Sequence, residues 1–530
     1  MSEDSPALPT SGIQSMKYFP PWQAYILAFT ASACTLIIEL VAGRMMSPMI
    51  GVSLYTWTSI IGVVLAGISL GNYLGGKIAD RFASRRTLFV LFLISGIFSL
   101  SILFTTHTLA GIKTPATFPI MLRIVILTGS IFFLPSCALG TISPLLVKLS
   151  LRNLERSGDI VGKIYAISTA GSILGTFATG FFLVSWFGTR SIIIGVSVTC
   201  FLLAFLFGDW SFPKKRKSSL AMTILLLMAG WGSFYIVSNS PLKSDCLRET
   251  NYYCIKVFDQ TIDNQIMKVL VLDHLVHSYN SIEDPQKLTY PYEFTYAAFT
   301  EYIARQRPNQ QVTALFIGGG GYTFPRYIQS RYKGSLIDVF EIDPEVTEIV
   351  KREMGLEPGN TIRTTNMDAR LALALLPEDQ KYDLVIGDAF HGVSVPYHLT
   401  TKQFNDMVRR HLKPDGIYML NIIDGRKALF ARSEVRTFRE TFPYVAIQPI
   451  NEYYQDVSSA LWVVIGSNAP IDMEKYLSAV NVAPRPDITE RLWQGAKLDE
   501  FLASGDSILI TDDYSPVDNL LAAVFEERGY

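Results

Sequence analysis

Val312–Gly321 reads VTALFIGGGG, and twenty residues beyond Gly321 stands Glu341, the last residue of the run Leu336–Glu341 (LIDVFE). A continuous apolar run, broken only by Thr313, that ends in four glycines predicts a buried strand entering a turn where backbone can approach a ligand closely. A second apolar strand ending in an acid, with room for a helix between, predicts a β-α-β unit whose acid accepts hydrogen bonds from ribose hydroxyls. The turn is not G-x-G-x-x-G and carries no P-loop lysine. A nucleoside without a pyrophosphate is therefore favoured over NAD or ATP.

The same alternation continues on both sides. Tyr382–Ile386 and Gly416–Asn421 are further apolar strands, and 344–354, 400–412 and 428–439 have helical patterns. Strands apolar on both faces, alternating with helices, predict a parallel sheet covered on each side. Tyr253–Phe258 and Met267–Leu272 form a hairpin-like unit in front of it. Two more acids fall where such a sheet places its ligand, outside the carboxyl ends of strands. Asp368, within Asn366-Met367-Asp368-Ala369, is positioned to accept from an adenine amino group, and Asp388 ends the strand beginning at Tyr382. Alone, each acid reads as a helix N-cap or a loop charge; together they read as a site.

The front of the chain is different. Of 530 residues 49% are hydrophobic, only 18% are charged, and the net charge is −1. So apolar a chain is not disordered. Five cysteines are too few for a disulfide scaffold, and the charge leaves no footprint for nucleic acid. The apolar excess sits in seven runs of spanning length, 23–47, 55–75, 87–106, 119–147, 164–186, 191–208 and 219–238. Basic residues gather in alternate loops: Lys77, Arg81, Arg85 and Arg86; Lys148, Arg152, Arg156 and Lys163; Lys214, Lys215, Arg216 and Lys217. Such loops face the cytoplasm, which with seven spans puts everything after 238 outside. Glu39, with Arg44 five residues on, is an ionisable group inside the first span, either a site or a helix-to-helix contact. Gly171, Gly175 and Gly180 give the fifth span a small-residue packing face.

The expected architecture is an α-helical membrane bundle of about seven spans, followed by an α/β Rossmann-like domain of the class I S-adenosylmethionine-methyltransferase type with a small N-terminal β unit. The expected boundaries are a polar tail at 1–22, the bundle at 23–240, the β unit at 241–288 and the Rossmann-like part at 289–530. The location that follows is a cell (inner) membrane, multi-pass.

A collinear set of motifs over most of 246–470 resembles the spermidine synthase (polyamine aminopropyltransferase) family. It comprises Glu249-Thr-Asn-Tyr252-Tyr253, Leu270-Val-Leu-Asp273, the helix segment ending at Glu293, Ile317-Gly-Gly-Gly320, Glu341-Ile-Asp343, Tyr382–Asp388, Pro396–Phe404 and Leu412–Gly416. Membrane-bound members of that family also join seven spans to this domain. The resemblance implies a small-molecule sulfonium nucleoside, decarboxylated S-adenosylmethionine or S-adenosylmethionine, as co-substrate, with no other cofactor and no metal. It implies a nucleoside set of His277, Gly318, Gly319, Gly320, Gly321, Glu341, Ile342, Asp368, Ala369 and Asp388, in which Glu341 holds the ribose and Asp368 the adenine. The catalytic set it implies is Asp388, which takes the amine proton, with His391, Tyr292 and Glu293. A polyamine acceptor, a lipid bilayer and a homo-oligomer complete the expected partners.

The departures concern the acceptor side. Where the family has GGGDGG, this chain has Gly321 followed by Tyr322 and Thr323, and where it has DSSDP, His391 replaces the second acid. His277 and Asn421 stand in place of glutamines, and the tyrosine expected before Glu293 is displaced within Tyr290-Pro291-Tyr292. A dication loses charged partners worth about 1.5–3 kcal/mol each. Aminopropyl transfer to a polyamine is the default. The alternatives are a lyase that releases methylthioadenosine and a lactone from intact S-adenosylmethionine, a methyltransferase, and a transporter with a nucleoside-sensing domain. His277 and His391 have no third ligand at metal spacing, so they read as a substrate contact or a general base. Asp512–Asp518 reads as a cap on the site or a contact with the membrane part. Cys246 and Cys254, eight apart, would pair if the domain lies outside; a cytosolic co-substrate argues for the inside.

Overall fold

Pro21 opens a thirty-residue helix, Pro21–Ile50, that is mostly apolar, with Glu39 and Arg44 its charged residues. Proline suits a first helical position because it has no N–H to leave unpaired there. At 1.5 Å per residue such a helix is about 45 Å long, more than a bilayer core of about 30 Å requires. The structure, a computed structural model, describes residues 19–51, 53–109, 120–151, 157–209, 246–357, 359, 361–390, 392, 394–480 and 485–527. The expected seventh span at 219–238, the basic cluster 214–217 and His391 lie outside the described residues.

Contacts divide the chain into two units. The first is Met1–Met45, Trp57–Ile112 and Ile124–Ser244; the second is Met46–Thr56, Lys113–Arg123 and Asp245–Tyr530.

Among the described residues five helices are long and apolar enough to cross a membrane: Pro21–Ile50, Leu54–Phe82, Arg85–Leu109, Met121–Ser150 and Ser157–Phe207. The count therefore differs from the seven runs of the sequence. One reason is that 164–186 and 191–208 fall in a single 51-residue helical stretch, which turns at Gly188 through a non-helical backbone with φ +73°. A hydropathy gap of four residues looks like a loop, whereas one glycine suffices to break the helix. The small-residue face is real for Gly171 and Gly175, where an added Cβ would meet the backbone oxygens of Phe29 at 2.2 Å and Ala33 at 2.8 Å. Gly180 does not share it and has open space around it. Glu39 is half-buried in the first helix.

The second unit contains two sheets. Four antiparallel strands lie in sequence order: β1 (Arg248–Glu249), β2 (Cys254–Ile262), β3 (Gln265–Leu272) and β4 (Leu275–Ser281). The expected hairpin is thus the centre of a larger sheet. β4 escapes a sequence reading because LVHSYNS mixes polar residues into both faces. The second sheet has β5 (Thr313–Ile317), β6 (Leu336–Phe340), β7 (Ile362–Thr365), β8 (Tyr382–Gly387), β9 (Leu412–Asp424), β10 (Tyr444–Pro449) and β11 (Ala460–Ser467), in the order β10-β11-β9-β8-β5-β6-β7. Strands β9, β8, β5, β6 and β7 are parallel, and β11 runs antiparallel to β9. This is a Rossmann-like, methyltransferase-type arrangement. β5 leads outward to β6 on one side and is flanked by β8 on the other, so the strand order reverses between β5 and β8. A crevice opens at such a switch point, beyond the carboxyl ends of the strands. Ile317 pairs with Gly387 at those ends, which brings the glycine turn and Asp388 together.

Candidate active site

Gly318 leaves β5 with φ +98°, and an added Cβ there would lie 2.5 Å from the backbone oxygen of Asp388. Only glycine satisfies both conditions. The Asp388 N–H donates to the Ile317 carbonyl at 2.8 Å, so the two strand ends are tied directly. Gly319 and Gly320 then turn their N–H groups onto Glu341, at 2.8 and 3.3 Å. The other Glu341 oxygen accepts from the Asp343 N–H at 3.0 Å. Burial raises this carboxyl above the ordinary range, against those amide donors. Glu341 therefore organises the glycine turn as well as facing the site.

Asp368 caps the helix Ala369–Leu375, accepting from the N–H groups of Arg370 and Leu371 at 3.0 and 3.1 Å. Its second oxygen meets His398 Nε2 at 2.8 Å. Burial would raise its carboxyl, but the His398 and backbone bonds outweigh that and hold it below the usual value. Arg370, next to it in the chain, forms a two-pronged ion pair with Asp512, so the acidic C-terminal segment is anchored beside this helix.

Asp388 directly follows β8. Asn421, on β9, donates Nδ2–H to Asp388 Oδ1 at 2.9 Å. Burial raises the Asp388 carboxyl to about 6, while Asn421 and the Tyr292 hydroxyl stabilise its ionised form. Such a group is ionised near neutrality and still basic enough to take a proton. Glu293 is only 3% exposed and accepts from the N–H groups of Thr289 and Tyr290 at 3.2 and 3.0 Å, in a capping box at the start of the helix Pro291–Ala304. Burial pushes its carboxyl to about 8, so near neutrality it is mostly protonated.

Two cavities meet at Asp388. One, of about 270 Å³, is lined by Glu341, Ile342, Asp368 and Ala369 together with Tyr252 and Tyr253. The other, of about 320 Å³, is lined by Gly321, Tyr292, Glu293, Asn421 and Ser278. His277, Gly318, Gly320, Phe390 and Asp388 border both. The residues expected from sequence are therefore brought together, with Gly319 and Gly321 on the second cavity only and His391 outside the described residues.

Gly321 departs from what its place in the motif suggests. A Cβ there would run into the Ser278 hydroxymethyl group, with Asn280 Oδ1 at 3.2 Å. Asn280 Nδ2 donates to the Gly321 carbonyl at 2.6 Å and Thr323 Oγ1 donates to Asn280 Oδ1 at 2.6 Å. A neutral network from β4 fills the place of a side chain.

The sequence reading gave no site role to Ser278, Phe390, His398 or the pair Tyr252-Tyr253. Two adjacent tyrosines just before a strand were the available signal for the last. For His398 there was none, since its contact with Asp368 spans thirty residues.

No sequence-family profile matches the chain. The polyamine aminopropyltransferase of Vibrio vulnificus (strain CMCP6) is 29% identical over 161 residues, which is 30% of this chain and 52% of that protein. The chain is similar to the polyamine aminopropyltransferases. The polyamine aminopropyltransferase of Oceanobacillus iheyensis is 22% identical over 469 residues, covering 84% of this chain and 85% of its own. A probable spermidine synthase from Corynebacterium glutamicum shares 19% identity over 49% of this chain and 93% of its own, with a TM-score of 0.43. The match to the Vibrio aminopropyltransferase spans about half of that protein's length. Like this chain, the Oceanobacillus protein aligns through both units, since 469 residues exceed either one.

Proposed function

We propose that the chain is a membrane-anchored transferase that binds decarboxylated S-adenosylmethionine and moves its aminopropyl group to an amine acceptor, releasing methylthioadenosine. The observation that carries this reading is the meeting of two cavities at one carboxylate, Asp388, with Glu341 and Asp368 in one and Asn421 and Tyr292 in the other. A sulfonium is an activated electrophile and leaves as a neutral thioether. The protein has to align an amine with the carbon–sulfur bond and take its proton. Asp388 takes that proton. The amine lone pair forms the new carbon–nitrogen bond as the carbon–sulfur pair departs with sulfur. Glu341 and Asp368 hold the ribose and adenine, and His277 and the glycine turn line the junction.

A second reading keeps the same bond cleavage but uses intact S-adenosylmethionine with no amine. The neutral side chains of Ser278 and Asn280 at Gly321 favour it, because no carboxylate stands at that position to repel the substrate's own. That carboxylate would attack its own chain and close a lactone. Purified full-length protein incubated with each sulfonium, with and without putrescine, separates the two. Methylthioadenosine formed only with the decarboxylated donor and an amine upholds aminopropyl transfer. Release from S-adenosylmethionine without amine upholds the lyase, and turnover of neither overturns both.

A further inference from the structure

Cys246 and Cys254 are joined by a disulfide. The seven residues it encloses, 247–253, are not a remote surface loop. Tyr252 and Tyr253 line the cavity that holds Glu341 and Asp368. The Tyr253 hydroxyl donates to the Phe390 carbonyl at 3.2 Å, two residues beyond Asp388. Thr250 Oγ1 donates to Asp343 Oδ2 at 2.6 Å, and the Asp343 N–H in turn donates to Glu341. One short loop thus reaches both the ribose acid and the turn that carries the central carboxylate.

The two ends of the loop are held differently. At Cys254 the N–H donates to Asp273 Oδ1 at 2.9 Å and the carbonyl accepts from the Asp273 N–H at 2.9 Å, so β2 is fixed without the disulfide. At the other end β1 is two residues long, pairs Arg248 with Ile255 and Glu249 with Cys254, and is extended by the Leu247 N–H bond to the Ile255 carbonyl at 2.7 Å and the exposed Arg248–Glu345 ion pair. Two pairs make a weak strand. The disulfide therefore does most where the ladder does least. Cys246 is half-exposed, within reach of a reductant, and Cys254 is buried.

We infer that the Cys246–Cys254 disulfide is a redox-sensitive clasp on the nucleoside site: closed, it positions Tyr252 and Tyr253 over the cavity and, through Tyr253, the Asp388–Phe390 turn; opened, it lets the loop leave and the nucleoside binds weakly. Opening adds two electrons and two protons to the cystine, which becomes two thiols, while an external dithiol is oxidised to a disulfide. This inference rests on the nucleoside reading of the cavity, and Tyr253 is a positioning residue in it.

The test is calorimetric titration of the full-length protein in detergent micelles with methylthioadenosine. It is run oxidised, after reduction, and after reoxidation, with the thiol state followed by mass spectrometry and at a temperature where circular dichroism finds both forms folded. Reduction is expected to weaken binding on the order of tenfold, because the loop must then be ordered by the ligand. Reoxidation should restore it. Cys246→Ser should start at the weakened value and ignore reductant, and Tyr253→Phe should weaken binding with the disulfide intact. Equal affinity in the oxidised and reduced forms would overturn the clasp alone. Absence of binding in every form would overturn the nucleoside reading and the clasp with it.

Discussion

On the proposed reading Asp388 is the base, and its environment then fixes a pH dependence. A base must be ionised, so the rate should climb as pH rises through about 6, the value to which burial has pushed this carboxyl. Stability runs the other way. A folded-state value raised above the unfolded one contributes stability that is complete below about pH 4 and lost as pH rises through about 6. Asp388→Asn is therefore expected to lower turnover by about 10²–10⁴-fold. It should also melt above the parent at pH 8 and level with it at pH 4. Equal melting at both pH values would contradict the assigned burial. Gly321 makes a second residue-scale prediction. Gly321→Ala drives a methyl into Ser278 and should cost about 1–3 kcal/mol of stability, read from the thermal midpoint. Adding Ser278→Gly empties that space and should recover most of the loss.

At the scale of elements, Asp383 shows how the sheet is locked behind the site. Its buried carboxylate on β8 accepts from Arg307 Nε at 2.5 Å, Lys413 Nζ at 2.8 Å and the Thr313 N–H at 2.8 Å. These bonds join the entry of β5 to β8 and to the start of β9. Burial would raise the carboxyl, but the Lys413, Thr313 and Arg307 bonds prevail and depress it. Asp383→Asn leaves Arg307 with Asp415 alone and takes the carboxylate from Lys413, and should destabilise by about 1.5–3 kcal/mol. Because the folded value is depressed, the gap to the parent should close as pH falls below about 4, measurable as converging melting curves. The central strands were legible because they are buried on both faces, and an apolar run needs no partner to be recognised. The sequence reading missed β7 (IRTT), β10 and β11. β7 is a four-residue edge with alternating exposure and β10 is the opposite edge, paired with β11 alone, whereas β11 (ALWVVIGS) is as apolar and buried as the central strands and its run was there to be read. The helix Pro291–Ala304 is buried nearly all round and lacks the amphipathic stripe that would announce it.

At the scale of the whole molecule, an enzyme-like unit shares one chain with the five membrane-length helices found among the described residues. With seven spans, basic loops at 77–86 and 148–163 on the inner side would put the second unit outside, where the Cys246–Cys254 disulfide would persist, whereas a cytosolic co-substrate argues for the inside. The expected outcome in intact cells is that a membrane-impermeant maleimide labels Cys246 and Cys254 after treatment with an impermeant reductant. Labelling only after lysis would put the unit in the cytosol. Cys34, Cys137 and Cys200, all buried in the first unit, provide the unlabelled background.

The sequence by itself determined the division into an apolar front and a Rossmann-like α/β rear, the β5 strand with its glycine turn, and the positions of the acids Glu341, Asp368 and Asp388 after strands. Each of these is written in local pattern: run length, periodicity, and residue type at a strand end. Tertiary structure alone decided that Glu341 grips the turn it follows, that Ser278 occupies the space beside Gly321, and that Tyr252 and Tyr253 close over the cavity. These depend on which residues meet after β4 and β5 pack and the disulfide closes. Contacts between residues 20 to 140 positions apart leave no periodic trace in the chain that makes them.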